Sequence, residues 1–189
     1  MTAKTVLTWE VTESQGYETA WVELTPDTLA ARGRVVGTAP RPYWLTYRLE
    51  TGPRYVTRRL RVTADSAEGV RELDLRRDER GRWEANGRDL PELAEALDCD
   101  LGLSPLTNTM PVLRHALHHT PGPAGPHELL TAWVSVPDLT VRPSRQHYTH
   151  LAPGRVRYAS GDFHSELTVD DRGLVLDYPQ LARRLESVG

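Results

Sequence analysis

Apolar and polar positions alternate along most of this chain. In "YETAWVELT", Ala20, Val22 and Leu24 alternate with Trp21 and Glu23. In "RPYWLTYRLE", Tyr43, Leu45, Tyr47 and Leu49 oppose Trp44, Thr46, Arg48 and Glu50. "VRELDLRRD" sets Leu73 and Leu75 against Glu72, Asp74 and Arg76, and "FHSELTVDD" sets Phe163, Leu167 and Val169 against His164, Glu166 and Asp170. A period of two marks antiparallel strands with one buried face. The turn signals "ARG", "TGPR", "DERG", "PGPAGP" and "DDRG" fall between such runs. Strands are expected near 5–12, 18–25, 31–38, 43–50, 54–63, 70–77, 82–86, 112–118, 128–136, 139–143, 145–150, 155–160, 163–169 and 173–177. Two helices are expected: "LPELAEALD" (90–98), with Pro91 and Glu92 in its first turn, and "YPQLARRLES" (178–187), with Leu181 and Leu185 at i,i+4.

This pattern predicts a mainly β fold built on one large, mostly antiparallel sheet, with a helical insertion in the middle and a short helix at the end. A sheet of so many strands curls into a barrel or half-barrel, or splits into two layers. A curled sheet leaves a concave face that a helix or a ligand must fill. No repeat of solenoid or propeller length occurs. The Pro/Gly-rich "TPGPAGPH" (120–127) reads as a hairpin loop rather than a linker, so residues 1–189 form a single domain.

Composition narrows the function classes. The 189 residues carry a formal charge of -3, which argues against nucleic acid as the main partner because phosphate binding asks for a cationic excess. The one cysteine, Cys99, permits neither an intrachain disulfide nor a cysteine-based zinc site. No apolar run is long enough to span a membrane, and "MTAKTVLTWEVTE" has no signal-peptide core, so a soluble cytoplasmic protein is expected. One Phe stands against five Trp and seven Tyr, side chains that suit half-buried positions at a cavity.

One stretch breaks the alternation: "DCDLGLSPLTNTMPVLRHAL" (98–117). Together with "VPDLTV", Gln146-His147-Tyr148, "VRYAS" and "VDDRGLVLDYPQLARR", it resembles the signature of the bacterial family labelled "putative glycolipid-binding". The amino half is similar in layout, with Trp9, Glu18, an Arg32-Gly33 turn and "YVTRRLRV". The most specific pieces are "TNTMP" and "GLVLDYP". The resemblance implies a fold similar to periplasmic lipoprotein carriers: a large antiparallel sheet bent into a half-barrel, with short helices plugging its concave face. It also implies a lipid or glycolipid ligand held there. This chain reads Arg114-His115 where the family tends to carry two arginines, and Tyr55 where it usually carries Trp.

Candidate site residues follow from parity. Arg58 falls in the set Val56, Arg58, Leu60, Val62, which puts an arginine on an apolar face; it then contacts an anionic or polar headgroup, or pairs with Asp98 or Asp100, unless a bulge flips the parity. Asp98 and Asp100 read as a structural pair. Asn108 and Arg114 sit in the irregular stretch and border whatever pocket it leaves. In a half-barrel, Tyr47, Trp83, Gln146, Tyr148 and Tyr158 line the cavity as amphipathic side chains. No catalytic residues, metal ligands or cofactor are assigned. There is no HExxH, no GxSxG and no Gly-rich phosphate loop, and His147 and His150 do not share a strand face. Cys99 between two aspartates is a poor nucleophile. The expected function is non-enzymatic binding of an amphiphilic small molecule. The alternatives are a small-molecule enzyme using Asp98, Asp100 or Arg58 in the same cavity, and a plugged structural protein with no ligand.

Overall fold

The computed structural model describes residues 2–119 and 125–186. Its strands are β1 (Ala3–Val11), β2 (Gly16–Leu24), β3 (Leu29–Gly37), β4 (Tyr43–Thr51), β5 (Thr57–Ser66), β6 (Gly69–Arg77), β7 (Trp83–Ala85), β8 (Arg88–Asp89), β9 (Asp98–Leu101), β10 (His127–Val134), β11 (Val141–Ala152), β12 (Arg155–Ser160), β13 (Phe163–Val169), β14 (Val175–Tyr178) and β15 (Ala182–Arg184). All fifteen belong to one sheet, in the order β8-β7-β6-β5-β4-β3-β2-β1-β15-β14-β13-β12-β11-β10-β9. Every described pairing is antiparallel except β9 with β10, so the sheet is mixed. One α-helix, α1 (Thr109–Arg114), and 3-10 turns at Pro53–Tyr55, Pro91–Leu93 and Pro105–Asn108 complete the described elements.

The topology is two meanders that meet at β1 and β15. The two edges of the sheet, β8 and β9, are therefore consecutive in sequence and are joined by residues 90–97 alone. Laid flat, fifteen strands would be about 67 Å wide. Residues 90–97 reach about 30 Å at full extension, and less with a 3-10 turn inside them. The sheet must curl until its edges approach, and it does so without closing into a barrel. At the seam, the Ala96 carbonyl accepts the Trp83 indole N–H at 3.0 Å and the Arg77 Nε–H at 3.0 Å. On the far side of the connector, Thr57 N donates to Leu97 O at 2.9 Å, and Cys99 N donates to Thr57 Oγ1 at 2.9 Å.

The alternating side chains fill this curl. Trp9, Leu29, Leu45, Leu49, Leu60, Leu75 and Trp83 are all fully buried, and the 90–113 segment adds Leu93, Leu106 and Met110 to the same core. A second cluster under β11–β14 holds Tyr148, Val156, Tyr158, Leu167 and Tyr178.

Several elements differ from the sequence pattern. The strand expected at 112–118 is α1 followed by turns. The helix expected at 90–98 is a single 3-10 turn leading into β9. The helix expected at 178–187 is the end of β14, a turn and β15; its last residue, 187, lies outside the described chain. There the ladders on both sides, β1 and β14, outweigh a local i,i+4 leucine pattern. The strands at 139–143 and 145–150 are one strand, β11, and "ARG" is not a turn, since Gly33 sits mid-strand opposite Tyr47. The strand expected at 54–63 starts only at Thr57, after the 3-10 turn. Within the expected 120–127 loop, residues 120–124 lie outside the described residues.

Trp83 closes the seam both by volume and by its hydrogen bond. Trp83→Ala is expected to cost about 3–5 kcal/mol, read as a fall in the urea midpoint. Trp83→Phe, which keeps most of the volume and leaves the Ala96 carbonyl with one donor fewer, is expected to cost much less.

Candidate functional site

Residues 98–108, β9 and the turns after it, occupy part of the concave side and leave a cleft of about 600 Å³ bordered by β10–β14 and by Glu13, Ala39 and Pro40 from the loops of the first meander. Register builds its floor. Asp100 on β9 lies opposite Trp133 on β10, and Trp133 lies opposite Arg142 on β11. The three side chains therefore stand in one cross-strand row, with the Arg142 guanidinium 4.3 Å from the Trp133 ring centroid. Asp100 accepts hydrogen bonds from Thr107 Oγ1 at 2.9 Å and Gln146 Nε2 at 2.5 Å. Burial pushes its carboxyl above the usual aspartate range, and those two donors pull it back. Tyr148 donates its hydroxyl to Asn108 Oδ1 at 2.8 Å, holding the cleft's amide in place. The wall is aromatic: Tyr158 meets Phe163 and Tyr178 edge-on at 6.1 and 5.9 Å between centroids.

Two further polar constellations lie deeper. Arg114 on α1 makes a two-pronged ion pair with Asp98 on β9, through Nη1 at 2.9 Å to Oδ1 and through Nη2 to Oδ2. Both side chains are almost fully buried. Burial pushes the Asp98 carboxyl up while the guanidinium pulls it down. The second is Glu18, fully buried on the inner face of β2. Its Oε1 accepts Tyr47 Oη at 2.6 Å and Ser104 Oγ at 2.9 Å, and its Oε2 has no protein partner. Burial lifts its pKa to about 7 against the opposing pull of those two bonds. Gly33 makes the arrangement possible, because a Cβ there would fall 2.2 Å from the Tyr47 ring. Ser104 connects this cluster to the cleft, which it lines.

The expected site residues are therefore scattered. Asn108 and Tyr158 line the cleft, as does Asp100. Gln146 and Tyr148 sit behind it and hold Asp100 and Asn108. Arg114 is committed to Asp98, and Tyr47 to Glu18; neither lines the cleft. Trp83 is at the seam. Arg58 is a correction: opposite the Glu50–Thr51 step, β5 carries one residue more than β4, and the parity flips. Arg58 is exposed, its side chain lies over Gly52, and it answers neither aspartate. Asp98 and Asp100, expected as a structural pair, each have their own partners, Arg114 for Asp98 and Thr107 and Gln146 for Asp100. Cys99 is buried against Thr57, and its thiol is pushed up to about 12, chiefly by burial, with the two flanking carboxylates adding to it. Trp133, Arg142 and Glu18 were missed. Glu18 carried a readable signal, since it shares parity with Ala20, Val22 and Leu24.

The family described as "Putative glycolipid-binding" matches residues 6–184. Among solved structures, the chain is similar to a DUF1089 family protein from Pseudomonas aeruginosa, with 33% identity over 89% of this chain and 92% of that one, and a TM-score of 0.74. None of the curated proteins compared with the chain matches it.

The Asp98–Arg114 pair gives a first expected outcome. Arg114→Met leaves a buried carboxylate unanswered and should cost about 3–5 kcal/mol in chemical unfolding, while Asp98→Leu combined with Arg114→Met should recover most of that loss. Glu18 gives a second. A carboxyl whose folded pKa lies above its unfolded value binds more protons in the folded state, so it lowers stability as pH rises from the unfolded value of 4.5 to about 7, and the penalty is constant above that. Glu18→Gln removes the ionisation and keeps an acceptor for Tyr47 and Ser104. Its stability relative to wild type should rise by roughly 3 kcal/mol between those pH values and then level off. A pH-independent difference would contradict this.

Proposed function

The chain belongs to the family described as "Putative glycolipid-binding", and on that premise we propose that its cleft binds the polar headgroup of an amphiphilic lipid, a glycolipid foremost. The observation that carries the reading is the Asp100–Trp133–Arg142 row beside Asn108 and the tyrosine wall. A headgroup rich in hydroxyls needs a carboxylate and an amide held rigidly as hydrogen-bond partners, and flat aromatic surface for its C–H faces. Here Gln146, Thr107 and Tyr148 fix the carboxylate and the amide before any ligand arrives. The volume of about 600 Å³ is in the range of small-molecule sites.

The reading assigns the headgroup, rather than the acyl chain, to the interior. The concave side next to the cleft is filled by Leu101, Leu106 and Met110. The likeness to lipoprotein carriers is supported by the curled sheet and its partial plug. Acid–base catalysis in this cleft would need titratable groups with matched, perturbed pKa values facing open space. Asp98 is held by Arg114 and Glu18 is enclosed behind Ser104, so the cleft presents the half-buried Asp100 together with Tyr158 and Tyr178, whose phenols burial pushes further above the pH range in which they could exchange a proton.

Native mass spectrometry of the purified protein, with extraction and a thermal-shift panel of glycolipids and phospholipids, tests the proposal. A co-purifying amphiphile, or a melting shift abolished by Trp133→Ala or Asp100→Asn, is expected. A clean apo mass with no shift across the panel would overturn it.

A further inference from the structure

The outer face of β1–β6 carries a second feature, independent of the cleft. Pairing register places Val6, Trp21, Arg32, Arg48, Arg61 and Asp74 in one row across six strands. Three arginines stand side by side on adjacent strands, and Arg34 follows Arg32 two residues along the same strand face. Like charges directly opposite one another in a sheet repel. Arg32, Arg34 and Arg48 have no acidic partner among the described residues, and Arg61 reaches Glu50 only at 3.7 Å. Arg32 lies 5.2 Å over the Trp21 ring. A groove of about 680 Å³ runs between these side chains. Farther along the same face, a parallel row runs Glu10, Tyr17, Val36, Trp44, Asp65; its three central side chains are exposed, Trp44 at 65%, and the Trp44 indole N–H donates to Asp65 Oδ2 at 3.0 Å.

We propose that this outer face docks the protein on an anionic phospholipid bilayer. The arginines supply cations for lipid phosphates, and the flanking Trp21, Trp44, Tyr17 and Val36 supply the amphipathic and aliphatic surface that sits at headgroup depth. A dissolved anion would use the arginines and leave the exposed Tyr17 and Val36 without a role. The surface lies on the side of the sheet opposite the core, so its role stands whether or not the cleft takes a glycolipid.

Co-sedimentation with vesicles of phosphatidylcholine, with and without phosphatidylglycerol, tests this. The full chain is expected to bind only the anionic vesicles, and more weakly as salt rises. Arg32→Gln with Arg48→Gln should lower the partition coefficient roughly 30-fold, equivalent to about 1 kcal/mol for each arginine, with no loss of melting temperature. Trp44→Ser should weaken binding without changing its salt dependence. Equal binding by the double arginine variant would overturn the proposal. So would the absence of vesicle binding together with a melting shift by inorganic phosphate that the arginine variant loses; that result would assign the row to a free anion.

Discussion

Everything in this fold depends on one short connection. Residues 90–97 tie one edge of a fifteen-stranded sheet to the other, and eight residues cannot cross a flat sheet of that width. Curling is therefore imposed by chain connectivity as well as by strand twist. It follows that the edges meet at a seam rather than in a ladder, and that Ala96 presents its carbonyl to two donors from the first meander. It also follows that β9, entering from the seam, pairs parallel to β10 while its neighbours pair antiparallel.

A curl formed this way encloses more space than strand side chains fill, and the chain that leaves the seam must fill it. Residues 98–114 do so with irregular backbone and several polar groups, which are costly inside unless answered. The answers are local and specific. Arg114 takes Asp98, Thr107 and Gln146 take Asp100, Tyr148 takes Asn108, and Ser104 reaches Glu18. Each bond joins the plug to itself or to a strand, so the same contacts that make the plug tolerable also hold the cleft's polar groups rigid.

The strands were legible because burial on one face leaves a period of two, and most of the long strands fall where alternation places them. The failures occur where that rule meets a competing constraint. At Arg58, one extra residue in β5 reversed the face of everything before Leu60, and nothing in "YVTRRLRV" marks a bulge. At 178–187, the spacing of Leu181 and Leu185 suits a helix, yet the only open positions beside β1 and β14 were strand positions. At 109–114, the plug required a turn of helix in a sequence containing Pro111, which reads locally as a breaker. The cleft row was invisible for a different reason. Trp133 meets Arg142 through the β10–β11 pairing, but Asp100 joins them only through the parallel pairing of β9, which depends on the seam and not on any local pattern.

Alternation also explains why one sheet can carry two unrelated surfaces. In β2–β5 the inward set is Leu, Val, Ala, Gly, Tyr, Thr57 and the single acid Glu18, and the outward set includes Trp21, Arg32, Arg34, Trp44, Arg48 and Arg61 along with the acids Glu23, Glu50 and Asp65. The inward glycines at 33 and 37 are where Tyr47 and Tyr43 lay their rings, so neither position can gain a side chain without displacing a buried aromatic. The outward arginines face no such limit: nothing in the core would oppose their replacement by smaller or neutral residues, and adjacent like charges cost stability. A row of arginines that packing does not require, and in which Arg61 alone has an ion-pair partner among the described residues, at 3.7 Å, is free to serve a contact outside the chain. That asymmetry between the two faces separates the arginine row from the buried ion pair, which the fold itself requires once Asp98 is inside.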